Sequence, residues 1–188
     1  GFTGRVLGGE ASLAGRLGKG GRGLLLRGRA TAEALADFVD VPGMSRLSGA
    51  LRYETRLARD SRGYRLELTS DLRGLEMDFP APLAKPDTQA RTLRVVWSGQ
   101  EARDDLLSTD LGTELSARMR HRRGASGGPY FSSASFGLNR AAPPPGGLAI
   151  DIAHPLLDMD AWNEIVEEFS PSGDDARAGA KGANAVFP

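Results

Sequence analysis

The run Gly63-Tyr64-Arg65-Leu66-Glu67-Leu68-Thr69-Ser70-Asp71-Leu72-Arg73-Gly74-Leu75-Glu76-Met77-Asp78-Phe79, closed by Pro80-Ala81-Pro82-Leu83, decides the fold. From Tyr64 to Leu72 its apolar residues hold even positions: Tyr64, Leu66, Leu68 and Leu72. After Gly74 they hold odd ones: Leu75, Met77 and Phe79. Such alternation is the period of a strand with one dry face and one wet face. A one-residue slip at a glycine predicts a β-bulge that keeps the same face buried past the slip. Read as one strand, Tyr64–Phe79 would span roughly 50 Å at ~3.3 Å per residue, well beyond the ordinary strand. The expectation is a long, bent strand with a sheet built around it.

The neighbouring segments extend the pattern. In Ala50–Arg59, Leu51, Tyr53, Thr55 and Leu57 alternate with Arg52, Glu54 and Arg56, and Asp60-Ser61-Arg62-Gly63 is a turn of hairpin length. Phe2–Gly18 predicts one or two weak strands, followed by a turn at Gly18–Gly23 and a strand at Leu24–Ala30. Further strands are expected at Thr92–Ser98, Leu106–Leu111, Glu114–Arg122, Tyr130–Leu138 and Leu148–His154, with breaks at Gly124–Pro129 and Pro143–Gly147.

Two stretches change period. In Thr31–Val39, Thr31 can cap, and Leu35, Phe38 and Val39 share a face. After Pro155, with Asp158 or Asp160 as cap, Trp162, Ile165, Val166 and Phe169 fall at helical spacing. Ser45–Ser48 allows one more helical turn. Two short amphipathic helices are too few to cover a parallel sheet. The fold class expected is therefore mainly β (α+β): a long, twisted, curved antiparallel sheet with two short helices. Residues 1–169 form one β-rich unit. Residues 170–188, rich in Gly, Ala and charge without periodicity, read as a linker or loop.

Composition excludes several chemistries. Twenty-four basic and 24 acidic residues give zero net charge, which does not fit a nucleic-acid footprint. There is no cysteine for a disulfide or a thiolate. Only His121 and His154 exist, so a multi-histidine metal site cannot be assembled, and no cofactor is expected. The chain begins at Gly1 without a leader and is read as a piece of a longer protein.

The motifs favour plain readings. Gly18-x-Gly20-x-x-Gly23 matches the dinucleotide fingerprint, but a strand-like Leu24-Leu25-Leu26 follows where that motif needs a helix N-terminus. Gly124-Ala-Ser126-Gly-Gly128 matches the nucleophile elbow, but Pro129-Tyr130-Phe131 follows instead of a helix. A hydrolase using Ser126 or His154 is thus a distant reading. Arg118, Arg120, His121, Arg122 and Arg123 could form an anion patch, but are read first as the wet side of a strand and its turn. Trp97 and Trp162 are read as core anchors. No constellation reaches catalytic grade, and the chain is read as non-enzymatic.

Several stretches carry a resemblance: Ala30–Ala36, Leu47–Tyr53, Tyr64–Leu75, Phe79–Pro86 and Asp158–Trp162, the most specific wording being Ser70-Asp-Leu-Arg-Gly-Leu-Glu-Met-Asp-Phe-Pro-Ala-Pro-Leu-Ala-Lys-Pro86. In order and wording, from about Leu24 to Phe169, they resemble the periplasmic part of the YhdP-like proteins, AsmA/TamB-related envelope proteins of Gram-negative bacteria. The resemblance implies an inner-membrane anchor outside this chain and a periplasmic location. It implies sheets curled into a groove with an apolar inside, and a link to phospholipid movement between the two membranes. It carries no catalytic residue over.

A sheet face that helices leave uncovered is a contact surface for ligand or membrane. The expected lipid-facing residues are Leu66, Leu68, Leu72, Leu75, Met77, Phe79, Leu93, Val95 and Trp97, with phospholipid acyl chains as partner. For each of them the competing reading is ordinary core under the helices. The alternative function is a structural or interaction module of the envelope, its sheet edges pairing with adjacent segments of the same chain.

Overall fold

The computed structural model describes residues 1–17, 23–38, 43–60, 63–99, 104–123, 129–137, 147–151 and 157–169. The expected turns at Gly18–Gly23, Ser61-Arg62 and Gly124–Pro129, the Pro-rich break, Ser126, His154 and the tail lie wholly or mostly outside these residues.

The described chain forms one open, twisted, mostly antiparallel sheet of eleven strands with two helices. The strands are β1 (Phe2–Val6), β2 (Gly8–Arg16), β3 (Gly23–Thr31), β4 (Leu47–Asp60), β5 (Gly63–Ser70), β6 (Leu75–Met77), β7 (Leu93–Gly99), β8 (Asp104–Leu111), β9 (Leu115–Arg123), β10 (Pro129–Gly137) and β11 (Gly147–Asp151). Ten follow one another as neighbours, β1-β2-β3-β4-β5-β7-β8-β9-β10-β11, and β6 pairs with β4 off that path. β1 and β11 are the ends of the order. Each pairing is antiparallel except β10 with β11, which run parallel.

Tyr64–Phe79 is not one strand. β5 ends at Ser70, and β6 resumes against the beginning of β4, where Leu75 pairs with Gly49 and Met77 with Leu47. The slip read at Gly74 is real. Between the pairs Thr69↔Glu54 and Leu75↔Gly49 one strand advances six residues and the other five. The extra residue is absorbed by a turn and not by a bulge. Leu72 (φ 50°) and Gly74 (φ 90°) are left-handed, a conformation that ends the ladder. Ser70 takes over there: its buried hydroxyl donates to the Arg52 carbonyl (2.7 Å) and accepts from the Leu72 N–H (3.0 Å). The long strand of this fold is β4, with 14 residues.

The helices begin where the sequence places them. α1 (Ala32–Phe38) is capped by Thr31 Oγ1, which accepts from the Ala34 N–H at 3.2 Å. α2 (Met159–Phe169) is capped by Asp158, whose Oδ1 accepts from the Ala161 N–H at 3.0 Å. A 3-10 turn, Met44–Arg46, precedes β4. Leu35 packs inward from α1, but Phe38, expected on the same face, is exposed.

The core gathers at one end of the sheet, where β3 leads to β4, β5 to β7, and β8 to β9. Ala30, Ala32, Leu51, Tyr53, Leu72, Leu75 and Leu111 form the buried cluster, with Leu26, Leu35, Leu47, Met77, Leu83, Leu93 and Leu115 among the residues packed on it. The segment from Pro80 to Arg91 closes over it. Lys85 is 1% exposed, and its ammonium donates to the carbonyls of Leu75 and Pro86. Its backbone bridges Met77 in both directions (2.8 and 3.1 Å). Arg91 donates to the carbonyls of Leu83 (3.0 Å) and Ala84 (2.9 Å). Two buried cations thus satisfy carbonyls that have no strand partner. Trp162 of α2 donates its indole N–H to the carbonyl of Ala81 at 3.0 Å and ties the last helix to this cap.

Candidate functional site

Directly opposed residues of paired strands share a face, so the register names the side chains on each side of the sheet. One row runs Leu24–Leu57–Leu66–Trp97–Leu107–Met119–Ala134–Leu148, a single residue from each neighbouring strand from β3 to β11, β6 lying off that path. A second row on the same face starts at Leu13 and Leu26, passes through Leu68, Val95 and Phe136, and ends at Ile150. Eight strand intervals at ~4.8 Å make that second row roughly 38 Å long. Its interruptions, Thr55, Thr109 and Ala117, are small and uncharged.

The opposite face is charged. Glu54 accepts from Arg27 (2.7 Å) and Arg56 (2.8 Å), and Glu67 accepts from Arg94 (2.7 Å). The side chain of Arg118 meets Asp110 at 2.6 Å. Hydrogen bonds from Arg27 and Arg56 hold Glu54 below the usual carboxylate range, and Arg94 does the same for Glu67. The ion pairs thus lie on the side away from the two rows, interspersed with the apolar Leu25, Val96 and Leu106.

The expected lipid-facing residues divide into two groups. Leu66, Leu68, Val95 and Trp97 stand together in the two rows, outside the buried cluster, with Trp97 40% exposed. Leu72 and Leu75 do not line this surface: at 2% and 3% exposure they belong to the closed core. The turn at Leu72–Gly74 swings them beneath the Pro80–Arg91 segment. Met77 and Leu93 pack against that core, and Phe79 sits half-buried after β6. Sequence reasoning had not placed Leu24, Leu57, Leu107, Met119, Leu148 and Ile150 on this surface. Their alternation within each strand was the available signal, but only register joins them to Leu66 and Trp97.

A third row closes the face at the end away from the core. It runs Arg59–Tyr64–Gly99–Asp105–His121 across β4, β5, β7, β8 and β9. Tyr64 donates its hydroxyl to Asp105 Oδ2 at 2.8 Å, and His121 Nδ1 lies 3.6 Å from the same oxygen. The His121 ring meets Trp97 edge-on, with centroids 6.1 Å apart. The basic cluster read as a wet face therefore splits: Arg118 and Arg120 lie on the charged side and His121 on the apolar one. The side chains of Arg122 and Arg123 lie outside the described residues.

The surface is thus capped at one end, apolar across its middle and polar along its far margin. No helix among the described residues is long and apolar enough to cross a membrane. A protein-family model described as YhdP protein matches residues 1–188. No curated protein and no solved structure matches the chain.

Proposed function

We propose, from the premise that this chain belongs to the YhdP family, a family of envelope proteins and not a known enzyme family, that it is a non-enzymatic segment of a periplasmic lipid-transport protein. In this reading the sheet is a stretch of groove wall, anchored to the inner membrane through a part of the protein outside this chain. Acyl chains lie along the Leu66–Trp97 and Leu68–Val95 rows on their way between inner and outer membrane.

One observation carries the reading: two mostly apolar rows of side chains cross the sheet to β11, with Leu66, Trp97, Leu68 and Val95 standing outside the buried cluster, while the Arg–carboxylate pairs sit on the other face. A hydrocarbon tail on such a surface gains about 0.8 kcal/mol per buried methylene. It needs no specific polar contact along most of its length, which agrees with the lack of a catalytic constellation in the sequence. The test is mass spectrometry of an organic extract from the protein purified in mild conditions, both as this chain and within its full-length parent. Co-purifying phospholipid is the expected result, and lipid-free protein in both preparations would remove the reading.

A second reading has its own support. Among the described residues, β1 and β11 end the strand order without a second neighbour, and every residue of β11 is exposed. Such edges pair readily with further strands. A scaffold module would use them to join adjacent segments of the same chain and would carry no lipid. Length-dependent association by light scattering, with a clean organic extract, is its signature.

A further inference from the structure

The polar row at the far margin is not needed to hold a hydrocarbon tail, and its geometry is specific. Tyr64 on β5 and Asp105 on β8 are separated by β7, yet their side chains meet. They do so across Gly99, the β7 residue paired with both. A Cβ at Gly99 would stand 1.9 Å from Asp105 Oδ1 and 2.9 Å from the Tyr64 hydroxyl. The glycine is thus a notch over which the carboxylate lies.

The two oxygens of Asp105 differ. Oδ2 accepts from Tyr64 and faces His121. Oδ1, over the notch, has no hydrogen-bond partner among the described residues. A carboxylate has about four acceptor positions. This one keeps one oxygen open on a face whose next row is Leu66, Trp97 and Leu107. A negative acceptor bordering an apolar track complements an amphiphile with a cationic donor at its head.

Resting on the lipid-track reading above, we propose that Asp105, positioned by Tyr64 and by the notch at Gly99, binds the primary ammonium of a phospholipid headgroup whose tails lie on the Leu66–Trp97 row. The ammonium N–H donates to Asp105 Oδ1. The Trp97 ring, edge-on to His121, flanks the point where head passes into tail. The site selects heads that carry N–H donors over heads of equal charge that carry none.

The experiment is native mass spectrometry of the purified chain in nonionic detergent. It is offered equimolar phosphatidylethanolamine and phosphatidylcholine with identical tails, which match in net charge and differ in the ammonium N–H. Wild type is expected to retain the ethanolamine lipid about tenfold over the choline lipid, the equivalent of one charge-assisted hydrogen bond. Asp105→Asn and Gly99→Ala, the second filling the notch, are each expected to bring the ratio close to one while both lipids still bind. Equal retention by wild type, or a preference that survives both variants, overturns the headgroup site and leaves the apolar track standing. Binding of neither lipid by wild type overturns the track and the site together. Far-UV circular dichroism identifies a variant that has not folded, and the other variant then decides.

Discussion

The ring of Tyr53 on β4 lies across Gly28 on β3: a Cβ at Gly28 would stand 2.8 Å from the phenolic oxygen and 3.0 Å from Cβ of Ala11, one strand farther out. The aromatic ring covers a glycine that would otherwise leave a gap in the sheet. Its hydroxyl is buried without a hydrogen-bond partner among the described residues. Tyr53→Phe removes an unsatisfied group and should leave stability unchanged or raise it by roughly 1–3 kcal/mol in urea unfolding. Burial also lifts the Tyr53 pKa above its ordinary 10.0. The neutral form is favoured in the fold, so stability is intact below pH 10 and falls as pH rises through the lifted value. Tyr53→Phe should flatten that alkaline decline.

The two groups of leucines should respond oppositely. Leu72→Ala and Leu75→Ala open cavities in the closed core and should each cost roughly 2–5 kcal/mol in urea titration. Leu66→Asp and Trp97→Asp place a charge on the uncovered rows. They should leave the melting transition cooperative and abolish co-purifying lipid. A stable, lipid-loaded Trp97→Asp protein would contradict the assignment of those rows.

Lys85→Met should destabilise by roughly 1–3 kcal/mol, because the carbonyls of Leu75 and Pro86 lose their buried donor. Burial, and secondarily the charge of Arg91, lower the Lys85 pKa from its ordinary 10.5. The unfolded chain then holds this proton more tightly than the fold does. The contribution of Lys85 therefore rises with pH through its lowered value towards 10.5. The difference in stability between wild type and Lys85→Met should widen over that alkaline interval.

Gly49, opposite the strand break, has φ 86°, and a Cβ there would stand 2.2 Å from the carbonyl oxygen of Gly74. That carbonyl accepts from the Ala50 N–H at 2.9 Å. Gly49→Ala meets both a left-handed backbone and a backbone atom, and should cost at least ~1–2 kcal/mol. Hydrogen exchange should report where: the Met77 and Asp78 amides, bonded to Lys85 and Arg46, should lose protection before those of β5.

On the charged face, the hydrogen bond from Arg94 lowers Glu67 below its ordinary 4.5. A depressed carboxylate supports the fold above that value and loses its effect as pH falls through the lowered one. Glu67→Gln should flatten the acid side of the melting curve, and the effect should shrink in high salt because the pair is partly solvated.

Chain chemistry alone determined the alternation of the strands, their single dry face, the one-residue slip at Gly74, the cap at Thr31 and a second cap at Asp158 or Asp160, between which the structure chose Asp158. Those are local properties: the pleat sets the period, and a capping oxygen acts within three residues. Pairing partners are not local. Only the tertiary structure decided that the slip is a turn which re-pairs Leu75–Met77 with the start of β4, and that Leu72 and Leu75 are core while Leu66 and Trp97 are surface. It also decided that β11 joins in parallel, and that Tyr64 and Asp105, 41 residues apart, meet over Gly99. Register is set by the summed fit of many strand pairs at once, so no window of sequence contains it.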